Sequence, residues 1–168
     1  LRPQRSHNVV SPIGIEFGAD QLNLVQLQRV HPPLIRAYAS LPYPIERAEL
    51  MHSAAALKTF IKQALAAGPF EGRKVVAALP AADVRILSVT YQIRPNETDD
   101  QAITRLMEER IGEDLAQFVI DYVLVRGDAT VGDRRAIVML SERSTVVGHL
   151  ELLRKAGLDV EALEVSPI

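Results

Sequence analysis

The stretch IGIEFGADQLNLVQL, Ile13 to Leu27, decides how the rest of the chain is read. An apolar run from Val9 to Phe17 ends at Gly18. From Leu22 to Gln28 the residues alternate, with Leu22, Leu24 and Gln26 on one face and Val25 and Leu27 on the other. The reading is a strand, a tight turn at Gly18 and a second strand. Downstream, LIRAYASL (Leu34 to Leu41) also alternates, and puts Ile35, Ala37, Ala39 and Leu41 on one side. Pro32-Pro33 precede it and Pro42 and Pro44 follow it as punctuation. This predicts an antiparallel meander of three strands.

From Glu49 the period becomes helical. Leu50, Ala54, Leu57, Ile61 and Leu65 form one stripe, and Gly68-Pro69 stop it. A strand from Lys74 to Leu79 closes this first unit. The remainder reads as an inserted β-α-β-β-α-β segment. VRILSVTYQI is β-rich, and a helix begins at Thr98, which can cap while Gln101 reaches back and Asp99 and Asp100 favour the helix start. Its apolar face is Ile103, Leu106, Met107 and Ile111. The segment Gln117 to Leu140 reads as a hairpin around a Gly/Asp loop. A helix at Ser144 to Ala156 turns Val146, Leu150 and Leu153 inward and stops at Gly157, before a returning strand in DVEALEVSP.

Composition narrows the function classes. At this length folding buries roughly 70% of the unfolded surface, which is enough for a real core. The 168 residues carry 19 Lys+Arg against 21 Asp+Glu, a net charge of −2, and no basic run beyond Arg134-Arg135. A nucleic-acid backbone finds no electrostatic footprint here. There is no cysteine, so neither a disulfide framework nor a thiolate metal site is available. His7, His31, His52 and His149 lack helical i, i+4 ligand spacing and read as surface or cap residues, not metal ligands. The longest apolar candidate, Lys74 to Val89, is broken by Pro80, Asp83 and Arg85, and LRPQRSHN has no apolar signal core behind its arginines. The expectation is a cytoplasmic protein with no membrane insertion of its own. The chain begins without Met, and two readings stay open: a fragment of a longer protein, or a protein that never had a second lobe.

The element order matches the ribonuclease-H-like half-fold of actin-type ATPases. Four stretches carry a closer resemblance: Ile13 to Asn23, VVAALP at Val75 to Pro80, FVIDYVLV at Phe118 to Val125, and LLRKAGLDVEALEVSP at Leu152 to Pro167. Together they resemble the N-terminal half of the type IV pilus assembly protein PilM family, which is related to FtsA in the actin-like superfamily. The resemblance implies an α/β (α+β) actin-like lobe. Residues 9–83 and 162–168 would form a 1A-like subdomain, and 84–161 an inserted 1C-like subdomain. It also implies a cytoplasmic position, peripheral at the inner membrane. The implied partner is a PilN-like single-span protein whose N-terminal peptide lies in a groove between subdomains 1A and 1C. Self-association through the 1C-like subdomain would be a further contact.

The same resemblance makes the hairpin the candidate phosphate site, formed by Glu16, Gly18, Ala19, Asp20 and Gln21. In actin-like ATPases backbone N–H groups and a hydroxyl converge there on phosphates, while an Asp orients Mg²⁺. Here Glu16 replaces the Asp, Ala19 lacks a hydroxyl, and Asn23 stands where the family has Lys. Asp20 adds a charge that repels a phosphate about 4 Å away by ~4 kcal/mol at an effective dielectric near 20. That is roughly three decades of affinity. No catalytic residue is assigned. ATP and Mg²⁺ are implied as cofactors only of a two-lobed protein acting as a nucleotide switch. A third reading takes Glu16, Glu49 and Asp83 as a nuclease-type carboxylate cluster, which the missing basic surface disfavours.

Overall fold

In the computed structural model, residues 10–112, 114–125 and 132–165 are described. Residues 1–9, which include His7 and Val9, and 113, 126–131 and 166–168 lie outside them. The chain divides into two compact units, one ending at Pro80 and resuming at Gly148, the other running from Ala81 to Val147.

The first unit is built on a five-stranded sheet. β1 (Ile13–Phe17), β2 (Gln21–Gln28) and β3 (Leu34–Pro42) form the meander, and β4 (Lys74–Leu79) and β8 (Asp159–Val165) add parallel to β1, giving the order β3-β2-β1-β4-β8. Alternation does the sorting. Ile13, Ile15 and Phe17 of β1, Leu22 and Leu24 of β2, and Val75 and Ala77 of β4 all face one core. Gln26 continues that buried face, and its side chain is satisfied. Its Nε2 donates to the carbonyls of Ser11 (2.9 Å) and Glu71 (2.8 Å), and its Oε1 accepts from the Glu71 N–H at 2.9 Å.

Two expectations for this unit change. Ile35, expected on the inner face with Ala37 and Ala39, is 69% exposed. A bulge between Gln26 and Leu27 pairs Gln26 with Ala37 but Leu27 with Ile35, so the phase slips there. The single helix expected from Glu49 is two, α1 (Arg47–His52) and α2 (Ala54–Ala66). Ser53 separates them. Its extended backbone (φ −118°, ψ 98°) breaks α1, and its hydroxyl accepts from the Ala56 N–H to start α2. Leu57, Phe60, Ile61 and Ala64 then face the core.

The second unit holds a three-stranded antiparallel sheet of order β5-β7-β6, from β5 (Arg85–Tyr91), β6 (Phe118–Val125) and β7 (Arg134–Glu142). β6 therefore pairs outside the sheet that contains β1. α3 (Asp99–Ile111) opens with a complete capping box. Thr98 accepts from the Gln101 N–H, and Gln101 accepts from the Thr98 N–H. Ala102, Ile103 and Met107 of α3 pack with Val89, Val138 and Leu140 of the sheet.

α4 (Arg143–Lys155) starts among residues of the second unit and ends in the first. The sequence places the inserted segment at 84–161, whereas the residues that cluster as the second unit are 81–147. The cause is packing: Leu153, Ala156 and Leu158 belong to the first core, and β8 pairs with β4. His149, expected at the surface or at a cap, is buried, because the inward stripe of α4 at 3–4 residue spacing passes through it. Its ring stands edge-on to Phe17, with centroids 6.1 Å apart. His31 and His52 are exposed, and Nδ1 of His52 lies 2.6 Å from the Ala48 carbonyl one turn back.

Candidate functional site

The β1–β2 hairpin places its residues by register. Glu16 stands directly opposite Asn23, and Asn23 opposite Ser40 on β3. All three point away from the core. Asn23 Nδ2 donates to Glu16 Oε2 at 3.3 Å, while Asn23 Oδ1 accepts from Ser40 Oγ at 2.7 Å and Gln21 Nε2 at 3.2 Å. A polar ladder thus crosses three strands and gives the Glu16 carboxylate a neutral amide as neighbour. At Gly18 the turn is tight: a Cβ would sit 3.1 Å from the Gln21 carbonyl, so a side chain would force the backbone apart.

Tyr43, from the end of the meander, closes this turn. Tyr43 donates its hydroxyl to the Gly18 carbonyl at 3.0 Å, and its backbone N–H donates to the Asp20 carbonyl at 3.3 Å. Burial is the main cause that pushes the Tyr43 phenol above its ordinary pKa. The Arg47 guanidinium opposes that shift, and the Glu16 and Asp20 carboxylates add to it. Arg47 therefore brings a cation near the hairpin that Asn23 does not supply. No helical spacing announces the pair, because Tyr43 lies before α1, which begins at Arg47. Ala19 and Asp20 are exposed at the tip.

Beside the ladder, on the outer face of the first sheet, lies a depression of 280 Å³. Its floor is largely apolar, with Gly14, Val25, Tyr38 and Val76, and Glu16 and Glu164 also line it. No Lys or Arg is among its lining residues. Such a surface receives an apolar side chain more readily than a phosphate. Glu49 is exposed on α1, and Asp83 is exposed in the 3₁₀ turn Ala81–Asp83 after β4. Among the described residues no group of three or more His, Asp or Glu side chains could hold a metal ion, so Glu16, Glu49 and Asp83 do not assemble as a nuclease-type cluster. Among those residues no helix is long and apolar enough to cross a membrane.

No protein-family model matches the sequence, and no curated protein does. Solved structures do. A structure described as a PilM-PilN type IV pilus biogenesis complex aligns over 93% of this chain and 47% of its own, with a TM-score of 0.73 and 28% sequence identity. The cytoplasmic domain of EpsL, an inner-membrane component of the type II secretion system of Vibrio cholerae, aligns over 90% of this chain and 56% of its own, with a TM-score of 0.53 and 18% identity. The chain thus spans about half the length of each. It has a PilM-like, actin-like fold, as the four sequence stretches implied.

Proposed function

We propose that this chain is an actin-like scaffold lobe of type IV pilus assembly, or of a related secretion system, that holds the cytoplasmic N-terminal peptide of a PilN-like inner-membrane protein. It works in the cytoplasm, peripheral at the inner membrane, recruited there by that partner. The observation that carries this reading is the likeness to the PilM-PilN complex, which covers 93% of the chain and so includes residues of both units. Open strand edges fit the role. β3 and β8 flank the first sheet and β5 and β6 the second, and an extended peptide gains affinity by main-chain hydrogen bonds to such an edge. The exposed Ile86, Val119, Val123 and Ile137 of the second sheet offer a surface for further partner or self contacts.

In this proposal Glu16, Gly18, Ala19, Asp20 and Gln21 frame the fold and grip nucleotide weakly or not at all. Ala19 offers a phosphate no hydroxyl, and Asn23 carries no charge to offset Asp20. The alternative, a nucleotide switch completed by a second lobe with ATP and Mg²⁺, draws its support from Arg47 beside Tyr43. A pull-down with the N-terminal cytoplasmic segment of the single-span protein encoded beside this one tests the proposal. Capture of this chain or of a two-lobed protein is expected. Capture of neither would return the account to the nucleotide switch.

A further inference from the structure

A second pocket lies on the helix-covered side of the first unit. It measures 130 Å³ and sits between α2 and the turn joining α4 to β8. Ile61, Leu65 and Leu158 give it an apolar lining, and Lys58, Lys62 and Arg73 supply its charge. The fold brings these cations together. Lys58 and Lys62 are one turn apart on α2 and share a face. α4 ends in a Schellman arrangement, with the Gly157 N–H on the Arg154 carbonyl at 2.9 Å and the Leu158 N–H on the Leu153 carbonyl at 3.1 Å. Gly157 adopts φ +92°, and the position a Cβ would take is 3.9 Å from both Lys58 Cε and Arg73 Nη1. The two long cationic side chains thus close around a residue that has none.

None of the three cations joins an ion pair among the described residues. The carboxylates of Glu71, Glu151 and Glu161 are engaged elsewhere, with Arg36, Lys155 and Lys74, and no carboxylate lines the pocket. Asp159 meets Arg73 through the backbone, its N–H on the Arg73 carbonyl at 2.9 Å. Helix-dipole compensation does not account for the cluster, because Lys58 and Lys62 lie outside the last turn of α2 and α4 has its own Arg154 and Lys155 at its end.

We propose that this pocket docks an acidic peptide segment that inserts one aliphatic or aromatic side chain between Ile61 and Leu158 while flanking carboxylates meet Lys58, Lys62 and Arg73. The shape selects a peptide over a bilayer. A concavity of 130 Å³ matches a single side chain, whereas a headgroup surface is flat and offers no knob. Complementary charge sets orientation and speeds encounter. The pocket is independent of the hairpin face and of the pilus reading.

The test is nuclear magnetic resonance of the ¹⁵N-labelled chain titrated with three probes: the blocked pentapeptide Glu-Glu-Leu-Glu-Glu, its Lys-Lys-Leu-Lys-Lys counterpart, and phosphatidylglycerol vesicles. The acidic peptide is expected to shift the amides of Ile61, Leu65, Gly157 and Leu158 saturably, with affinity on the order of millimolar or better. Raising salt toward 1 M, where the screening length falls to about 3 Å, should weaken it roughly tenfold. The doubly substituted K58E/K62E chain, altered only at exposed positions, should keep its spectrum and lose the response. Equal shifts with the cationic peptide, no saturable shift with the acidic one, or a response to vesicles alone would each overturn the proposal.

Discussion

Asn23 donates its amide to the Glu16 carboxylate across the β1–β2 pair at 3.3 Å, and in the same stroke accepts the Ser40 hydroxyl at 2.7 Å. The relay ties β1, β2 and β3 together through their outward-facing side chains. Asn23→Ala removes the centre of that relay. It should lower the unfolding free energy by about 1–2 kcal/mol, the usual worth of a partly buried polar pair. Urea unfolding measures it, and a midpoint equal to the parent's would show that the relay contributes nothing to the hairpin.

The turn itself can be returned toward phosphate chemistry. Replacing Ala19 and Asp20 together by Ser removes one charge and restores hydroxyls at the tip. In a two-lobed protein this should raise Mg-ATP affinity by up to about three decades, the equivalent of the ~4 kcal/mol repulsion removed. Calorimetry reads the change. An unchanged isotherm would assign the weak binding to groups other than Asp20.

Gln26 is buried at 1% exposure and satisfies three backbone groups of the segments that flank it. Gln26→Leu keeps the volume and leaves the Glu71 N–H and two carbonyls without that partner. A loss of roughly 2–3 kcal/mol is expected, because unmade buried hydrogen bonds cost more than made ones contribute. Thermal unfolding is the measurement. A melting temperature within a degree or so of the parent would mean that water replaces the side chain fully.

Acid should weaken the second unit through Glu97. Hydrogen bonds from the Arg105 guanidinium, and then the Arg94 backbone N–H, hold its carboxyl down at about 2, against an ordinary value of 4.5. Between those values the folded protein binds fewer protons than the unfolded chain. The stabilisation is therefore complete above pH 4.5 and is lost as pH falls toward 2. Asp99 is lowered too, chiefly because Tyr91 donates its hydroxyl to it, with Arg134 assisting, and acts with the same sign. Unfolding midpoints measured from pH 6 to pH 2 should fall less steeply in Glu97→Gln than in the parent. Parallel profiles would remove Glu97 from the account.

Local signals carried much of the architecture. The Thr98 capping box, the alternation of β1 and β2 and the stop at Gly157 each depend on residues a few positions apart, so the sequence displays them directly. Long-range geometry was less visible. The bulge at Gln26 that turns Ile35 outward, and the register that sets Ser40 opposite Asn23, depend on how separate strands meet. The burial of His149 is not legible locally, because a polar residue on an apolar stripe announces no aromatic neighbour and Phe17 is remote in sequence. At the hairpin the missing hydroxyl and the added Asp20 could be read at once, but the Tyr43 and Arg47 side chains arrive from the end of the meander and from α1.

The central claim is that this actin-like lobe recognises a peptide and not a nucleotide. Fluorescence anisotropy of the labelled N-terminal cytoplasmic segment of the adjacent single-span protein, titrated with this protein with and without about 1 mM Mg-ATP, tests it most directly. The expected result is saturable binding with a dissociation constant on the order of micromolar, unchanged by Mg-ATP. Binding that appears only with Mg-ATP, or no binding by either this chain or its two-lobed form, would contradict it.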